Sequence, residues 1–281
     1  MNPRSFNNSW IGRATVVPTV QLRVLPLFLV ACGHSGTTPL VHLLSLHPNI
    51  YTVAPTAAFE YSVKADSFKR VSLLVPSRQD DISFAKLAAK VEGVNATRWL
   101  VKSPSNACRL GYIFETLPAA RIVALVRDGR DVMLSLIDRY PNADPGGLLC
   151  LQRWVNDNEA ILLYKNDPRL LIVRYEDLFV GVGYPTLQKI LFHYRIRADD
   201  LHVMFKAREA ANPASSEVAI KDAIATQAHT LLRMAQLKRP FQRSKPRWPY
   251  AMSPKLKRIF KANERAVVLL LRFEYASTLD W

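Results

Sequence analysis

The fold follows from one stretch of the sequence, Leu27-Phe-Leu-Val-Ala-Cys-Gly-His-Ser-Gly-Thr-Thr38. Its first six residues, Leu27–Cys32, are apolar throughout and predict a buried strand. Gly33-His-Ser-Gly36 interrupts that strand, and leucines at helical spacing predict a helix from Thr37 to about Leu46. A glycine-bearing turn that leads from a strand into a helix N-terminus offers unpaired N–H groups to an anion. The stretch therefore predicts an anion-binding loop at the carboxyl end of the first strand.

This loop lacks the lysine of the Walker A loop, whose pattern is G-x-x-x-x-G-K-[ST]. Thr37 follows the second glycine at the place of that lysine, and only two residues separate Gly33 from Gly36. The missing lysine counts against ATP or GTP hydrolysis. Taken alone, the loop also fits a plain strand–helix turn with Ser and Thr side chains as caps.

Beyond the loop, short apolar segments alternate with helical patterns. The predicted strands are Leu27–Cys32, Asn49–Val53, Arg98–Val101, Arg121–Val126 and Leu170–Val173. Between and after them, helices are predicted from Asp80 or Asp81 to Val91, and over Ser105–Leu117, Asp131–Arg139, Leu148–Lys165 and Pro185–Tyr194. This alternation predicts an α/β fold with a central parallel sheet of about five strands flanked by helices. Ligands of such folds bind at the carboxyl ends of the strands.

The ends of the chain differ from this central part. Residues 1–24 have the composition of a weakly structured N-terminal segment, whereas 25–281 is expected to form a single domain without a Gly/Ser-rich linker. From about Asp199 the pattern predicts a helical C-terminal part, interrupted by a basic, proline-containing loop over Lys238–Pro254.

The charge of the chain is strongly positive and unevenly spread. Its 281 residues include 38 Lys and Arg against 23 Asp and Glu, a net charge of +15. Residues 1–59 contain no acidic residue, and 223–263 contain ten Lys and Arg with no acid. Two acid-free stretches indicate an anionic partner, which is a nucleic acid, an anionic membrane, or a phosphorylated or sulfated small molecule. The plain alternative is a solvated basic surface.

Cysteine content and hydropathy bear on the compartment. Cys32, Cys108 and Cys150 form neither a disulfide framework nor a metal-ligand spacing, so we expect a reducing, cytoplasmic location and no metal site. No apolar run reaches the ~18 residues of a transmembrane helix, and no secretory signal is apparent. Because residues 1–24 carry arginines and no acids, organelle targeting is the alternative location.

Two blocks of the sequence resemble the sulfotransferase family, whose donor is 3′-phosphoadenosine-5′-phosphosulfate. Cys32-Gly-His-Ser-Gly-Thr-Thr-Pro-Leu-Val-His-Leu-Leu-Ser-Leu-His-Pro-Asn-Ile50 is similar to the family's 5′-phosphosulfate loop, the helix after it and a His-Pro turn. Arg121-Ile-Val-Ala-Leu-Val-Arg-Asp-Gly-Arg-Asp-Val-Met-Leu-Ser135 is similar to its 3′-phosphate motif, in which a serine follows a strand-end arginine by eight residues. Weaker matches are Val101-Lys102-Ser103-Pro104, seen in glycan-type members, and Arg174-Tyr175-Glu176-Asp177-Leu178.

The resemblance implies a P-loop-NTPase-like fold and an enzyme that moves a sulfuryl group from this donor to an acceptor hydroxyl. The donor would bind without a metal and leave as adenosine 3′,5′-bisphosphate. Its 5′ end would meet the loop residues Gly33, His34, Ser35, Gly36, Thr37 and Thr38. A guanidinium and a hydroxyl, those of Arg127 and Ser135, would hold the 3′-phosphate. From their charge and position, Arg243, Lys245 and Arg247 are expected to close over the donor.

The sequence departs from the family at two positions. His34 stands where the family commonly has Arg or Lys, so Lys102 is the expected fixed cation beside the transferring group. The family position of the general base falls near Thr56, which is not acidic, and Glu60 is the nearest carboxylate. We therefore expect catalytic roles for Glu60, Lys102 and His34, with Asp66 and His34 as alternative bases.

The class of acceptor is inferred from a weaker resemblance and from charge, rather than from a motif. Resemblance to glycan-type members favours a carbohydrate hydroxyl, and the surplus of cations in 223–263 favours an anionic glycan. A nucleotide kinase or nucleotide-binding protein is the first alternative. A nucleic-acid-binding module is the second, although 223–263 has few aromatic residues and no nucleic-acid motif.

Overall fold

The computed structural model describes residues 24–53, 97–139, 141–142, 144, 146–198, 200–210, 241, 245–278 and 280–281. Its centre is a five-stranded sheet with the order β2-β3-β1-β4-β5. The strands are β1 (Leu25–Ala31), β2 (Ile50–Val53), β3 (Arg98–Lys102), β4 (Arg121–Val126) and β5 (Leu170–Arg174). All four strand pairings are parallel, so the predicted α/β fold with a parallel sheet is confirmed.

Helices follow the strands as the sequence pattern predicts. They are α1 (Thr37–Leu44), α2 (Leu110–Thr116), α3 (Gly129–Arg139), α4 (Leu148–Leu162), α5 (Pro185–His193), α6 (Asp200–Ala210), α7 (Trp248–Ala251), α8 (Pro254–Lys261) and α9 (Glu264–Arg272). Short 3₁₀ helices cover Pro104–Arg109 and Tyr175–Phe179.

Three predicted boundaries were wrong. The segment predicted as one helix over Ser105–Leu117 begins as a 3₁₀ helix, and its α-helical part starts only at Leu110. The helix predicted to end at Lys165 ends at Leu162, where the chain turns toward β5. The predicted loop Lys238–Pro254 contains the short helix α7, which Pro249 enters at its second position. The helix predicted up to Val91 lies outside the described residues.

The central strand β1 is buried on both faces. Every residue from Leu27 to Cys32 has no exposed surface. Since side chains alternate along a strand, Leu27 and Leu29 pack on one side with α1 and α5, whereas Phe28 and Val30 pack on the other with the 3₁₀ helix and α2. This double burial explains why the first strand is apolar throughout.

A third apolar cluster lies beyond the carboxyl ends of β1 and β4. It contains residues of α3, α4, α8 and α9 and is centred on the buried Trp154. The Trp154 indole donates a hydrogen bond of 3.1 Å to the carbonyl of Arg127. The predicted helical C-terminal part thus packs against the edge of the sheet where the predicted loop lies. None of the helices in the described residues is long and apolar enough to cross a membrane.

Candidate active site at the carboxyl edge of the sheet

Four segments meet at the carboxyl edge of the sheet, and three of them carry residues that the sequence predicts to bind the donor or to act on it. The loop 32–36 follows β1, and Lys102 ends the neighbouring β3. Arg127 follows β4 on the other side of β1, and Tyr175 follows β5. Because all five strands are parallel, these ends point the same way. The topology therefore brings together residues that are as far as 140 positions apart in the sequence.

The loop after β1 exposes the start of α1. Its backbone turns through positive φ values of 70° at His34 and 88° at Gly36, with Ser35 N–H bonded 3.2 Å to the Cys32 carbonyl. Gly36 is the N-cap of α1 and no side chain caps the helix. The first-turn N–H groups of α1 thus remain without a side-chain acceptor, which is the arrangement that binds anions at a helix N-terminus.

The Ser35 hydroxyl is buried without a partner. Ser35 is 1% exposed, and its Oγ makes no hydrogen bond with any described residue. A buried hydroxyl without a partner costs free energy in the protein alone. An anion bound at the loop would supply the missing acceptor.

Arg127 lies against this loop. Its Nη1 donates to the carbonyl of His34 at 3.3 Å, and its Nη2 is 3.5 Å from the carboxylate of Asp131. Its Nε is buried and has no partner among the described residues. The neighbouring carboxylate, Asp128, pairs instead with Arg130 at 2.7 Å. The guanidinium is thus only partly satisfied by the described residues.

Ser135 is brought to the same loop by helix α3. Its Oγ lies 2.8 Å from Nδ1 of His34, within hydrogen-bond distance. Ser135 is two turns into α3, which begins directly after Arg127 and Asp128. The arginine and serine of the second sequence block thus contact the same loop residue of the first block, one at its carbonyl and one at its ring.

The imidazole of His34 is held neutral. Burial is the main cause that lowers the pKa of His34 from 6.5 to about 4, and the charges of Arg139, Arg127 and Lys102 lower it further. At pH 7 the ring of His34 is therefore neutral rather than a histidinium. Lys102, one of these three cations, is the residue expected to act as the fixed cation beside the transferring group.

The C-terminal basic segment, residues 245–248, is bound to this edge of the sheet by Asp131. The carboxylate of Asp131 accepts hydrogen bonds of 2.9 Å from the backbone N–H groups of both Arg247 and Trp248. The exposed side chain of Arg247 pairs with Asp138 at 2.8 Å. Asp131 therefore joins the C-terminal segment to Arg127. Lys245 is exposed nearby in sequence, and Arg243, Glu60, Thr56 and Asp66 lie outside the described residues.

The segment after β5 brings Tyr175 to the site, a residue to which the sequence assigns no role. Tyr175 is 4% exposed, and its ring lies against Gly36 on one side and under the Arg127 guanidinium, whose carbon is 4.7 Å from the ring centroid. The signal for this contact was the strand register: Val126 of β4 pairs with Arg174 of β5, so Arg127 and Tyr175 are the next residues of adjacent strands. The register itself is not readable from the sequence.

The two carboxylates next to Tyr175 in the sequence have partners within the fold. Asp177 pairs with Arg174 at 3.0 Å. Glu176 accepts a hydrogen bond of 2.7 Å from the hydroxyl of Tyr275, and burial raises the pKa of Glu176.

A buried ion pair lies behind the loop. Arg153 and Asp157, one turn apart on α4, form a salt bridge, and Cys108 donates to the same carboxylate at 3.2 Å. Burial, followed by the charge of Asp157, raises the pKa of the thiols of both Cys32 and Cys108. Both thiols are therefore poor nucleophiles. Within the described residues, no group of three or more His, Cys, Asp or Glu side chains is placed to hold a metal ion.

Comparison with known proteins agrees with this geometry. A family model described as "Sulfotransferase family" matches residues 26–200, which is more than half of the chain. The chain is similar in structure to the sulfotransferase domain of the olefin synthase from Synechococcus PCC 7002, with 17% identity, a TM-score of 0.58, and 92% of this chain and 98% of that chain covered. It is also similar to mouse sulfotransferase SULT7A1 complexed with PAP, with 17% identity, a TM-score of 0.53, and 93% and 92% coverage. No curated protein sequence matches the chain.

Proposed function

Because this chain belongs to the sulfotransferase family, we propose that it transfers the sulfuryl group of 3′-phosphoadenosine-5′-phosphosulfate to a hydroxyl group of a carbohydrate. The observation that carries the proposal is the contact of Arg127 with the carbonyl of His34, at 3.3 Å. This contact joins the two sequence blocks that are proposed to bind the two phosphate ends of the donor. Each block contains a hydrogen-bond donor without a partner among the described residues, the Ser35 hydroxyl in the first and Nε of Arg127 in the second.

The 5′ end of the donor fits the loop after β1. The buried Ser35 hydroxyl lacks a partner among the described residues, and the N-terminus of α1 has no side-chain cap. Together they offer a hydroxyl and backbone N–H groups to an anion, with Thr37 and Thr38 adding two more hydroxyls. In our proposal, these groups hold the phosphate that gains negative charge as the reaction proceeds.

The 3′-phosphate fits Arg127 and Ser135. The guanidinium has a buried Nε without a partner among the described residues, and the Ser135 hydroxyl reaches the same loop residue. Asp131 holds the backbone of Arg247 beside Arg127, which supports a closing role for the basic residues Arg243, Lys245 and Arg247. Their combined positive charge matches a donor with phosphates at both ends.

When bound, the donor supplies an activated sulfuryl group: the acceptor oxygen bonds to sulfur, the bond from sulfur to the 5′-phosphate oxygen breaks, the acceptor proton passes to a base, and adenosine 3′,5′-bisphosphate leaves. The ammonium of Lys102 stabilises the charge that develops on the transferring group. The neutral ring of His34 donates or accepts a single hydrogen bond and adds no charge. Glu60 takes the proton in this proposal.

We propose an anionic glycan as the acceptor class, on the basis of the exposed cations of helix α8. Helix α8 presents three exposed cations, Lys255, Arg258 and Lys261, at a spacing that aligns them along one side of the helix. Lys261 lies 5.1 Å from the ring centroid of Trp281, and Lys257 lies 5.9 Å from that of Trp248. Trp248 in turn follows Arg247, so this basic surface adjoins the C-terminal segment that reaches Arg127.

The location proposed for the reaction is the cytoplasm. All three cysteines are free; Cys32 and Cys150 are buried, and Cys108 is partly buried. Free cysteines fit a reducing compartment. Fractionation of cells that express the full chain tests this proposal, and recovery from an oxidising compartment would contradict it.

Transfer of radiolabelled sulfate tests the proposed reaction. The full chain is incubated with labelled donor and with neutral glycans, uronic-acid glycans, small alcohols and phenols as acceptors. We expect labelled glycan and an equal amount of adenosine 3′,5′-bisphosphate, with uronic-acid glycans favoured at low salt. Transfer from labelled ATP with Mg²⁺, and none from the sulfate donor, would instead establish the nucleotide-kinase alternative.

Neutralising the basic surface separates the acceptor from the donor. The triple variant Lys255→Gln, Arg258→Gln and Lys261→Gln is expected to raise the KM for an anionic glycan about tenfold while the donor KM stays unchanged. A matched variant, Lys165→Gln with Lys189→Gln, changes exposed lysines elsewhere on the surface. Equal use of neutral and anionic acceptors at low and high salt would contradict the anionic class.

A further inference from the structure

Tyr175 contacts both parts of the site through carbon atoms of its ring. A Cβ atom added to Gly36 would overlap Cε2 of Tyr175 and lie 2.5 Å from its Cδ2. Gly36 has a φ of 88°, a left-handed conformation that favours glycine. The loop backbone therefore lies flush against the tyrosine ring, closer than any other residue type would permit.

The same ring lies beneath Arg127. The guanidinium carbon is 4.7 Å from the ring centroid, within the range of a cation–π contact. Among the described residues, the guanidinium makes two polar contacts, with the His34 carbonyl and with Asp131 at the long distance of 3.5 Å. The aromatic face is thus the largest flat surface that limits the orientation of this guanidinium.

The ring is itself held firmly. It is 4% exposed and belongs to the apolar cluster under α1 and α5. The ring of Phe179 meets it edge-on at 5.2 Å, and Phe179 packs on Phe241 in a tilted arrangement at 4.9 Å. Because Phe179 restricts the Tyr175 ring, that ring can in turn restrict Gly36 and Arg127, which it contacts.

From these contacts, the structure assigns Tyr175 a positioning role: its ring holds the loop 33–36 and the guanidinium of Arg127 at the mutual distance that one nucleotide with two phosphate groups requires. The role rests on the proposed function, since the nucleotide is the donor proposed above. Tyr175 acts through Gly36 and Arg127 and contributes no reacting group.

A core residue without this role would behave differently. Loss of a merely structural ring lowers stability and leaves the affinity of the remaining folded protein unchanged. Loss of a positioning ring loosens the loop and the guanidinium even where the fold persists. Nucleotide affinity and backbone exchange at the loop distinguish the two roles, whereas melting temperature does not.

The test compares Tyr175→Leu, Tyr175→Phe and the control Tyr164→Leu. Phenylalanine keeps the ring face that both contacts use. Tyr164 is a partly buried tyrosine near the start of β5, at the opposite edge of the sheet, where it packs on Phe114 at 5.5 Å. Affinities for adenosine 3′,5′-bisphosphate and adenosine 5′-monophosphate are measured by calorimetry, well below each melting temperature.

We expect Tyr175→Leu to weaken the bisphosphate about tenfold and Tyr175→Phe to stay within about twofold of the wild type. Tyr164→Leu is expected to change neither affinity. In an Arg127→Ala background, Tyr175→Leu loses less bisphosphate affinity than in the wild type, because the contact with the guanidinium is already gone. Wild-type affinities in a folded Tyr175→Leu protein would overturn the positioning role.

Hydrogen exchange makes the result independent of the nucleotide. Amides of peptides that cover residues 32–38 are expected to exchange faster in Tyr175→Leu than in the wild type or in Tyr164→Leu. If the wild type bound neither nucleotide, the proposed function would fail. The exchange rates would then still decide the positioning role, and unchanged rates at the loop would overturn it.

Discussion

The ring Nδ1 of His34 and the hydroxyl oxygen of Ser135 lie 2.8 Å apart across 101 positions of the sequence. This contact joins the loop after β1 to helix α3. In the proposed donor site, the loop meets the 5′ end of the nucleotide and Ser135 meets its 3′-phosphate. One hydrogen-bonded pair thus connects the two ends of the site.

Ser135→Ala is expected to weaken adenosine 3′,5′-bisphosphate about tenfold, because a hydrogen bond to a charged group contributes about 1.5–3 kcal/mol. Binding of adenosine 5′-monophosphate, which lacks the 3′-phosphate, should change far less. Calorimetry with both nucleotides measures the difference. Ser45→Ala is the matched control, since the Ser45 hydroxyl is exposed at the end of α1 and bonds only locally, to the His42 carbonyl. An equal loss for both nucleotides would contradict the assignment of Ser135.

Ser35→Ala should separate stability from binding. The Ser35 hydroxyl is buried without a partner among the described residues, so its removal is expected to leave the melting temperature unchanged or slightly higher. Affinity for both nucleotides should fall, by about fivefold to tenfold. Thermal denaturation and calorimetry measure the two effects. A lower melting temperature with unchanged affinities would show that the hydroxyl serves the fold instead.

Gly36→Ala is expected to destabilise the protein by about 2–4 kcal/mol, since the left-handed backbone alone costs an alanine about 1–2 kcal/mol and the added methyl group overlaps the Tyr175 ring. Urea denaturation measures the free energy of unfolding. Gly146→Ala is the control, because a Cβ atom there meets nothing within 4 Å. Equal stabilities of the two variants would refute the close packing of Gly36 on Tyr175.

The pKa of His34 predicts a dependence of stability on pH. Burial, with nearby cations, lowers this pKa from 6.5 to about 4 in the folded protein, so the unfolded chain binds the proton more readily. The free energy of unfolding should therefore rise as the pH increases from about 4 to about 6.5, with a contribution from His34 of at most about 3 kcal/mol. His34→Gln should remove this contribution, as urea denaturation across that pH range would reveal. His202→Gln, at an exposed position on α6, serves as the control, and an identical slope in both variants would count against the neutral ring.

The sequence predicts the strands and the loop well because their signals are local. Apolar runs such as Leu27–Cys32 and the glycines of the loop depend on neighbours in the chain. The parallel arrangement of the strands follows from the alternation of strands and helices, whereas the strand order and the register depend on contacts between distant segments and were not predicted. Element ends were less accurate where a proline changed the local geometry, as at Pro104 and Pro249.

The contacts within the site were less predictable. The serine and arginine of the second block were identified by spacing, but their common contact with His34 depends on how β4 and α3 lie beside β1. The neutral state of His34 depends on its burial and on cations from three other segments. The sequence does not indicate that Tyr175 belongs to the site, because its contact with Arg127 depends on the register between β4 and β5.

Binding of adenosine 3′,5′-bisphosphate tests the central claim most directly. In a thermal-shift and calorimetry comparison, we expect this nucleotide to stabilise the wild type without added metal, by about 2.7 kcal/mol at a concentration one hundred times its Kd. Arg127→Ala should lose most of that stabilisation, whereas Arg272→Ala, at an exposed arginine of α9, should retain it. Stabilisation by ATP with Mg²⁺, and none by the bisphosphate, would contradict the claim.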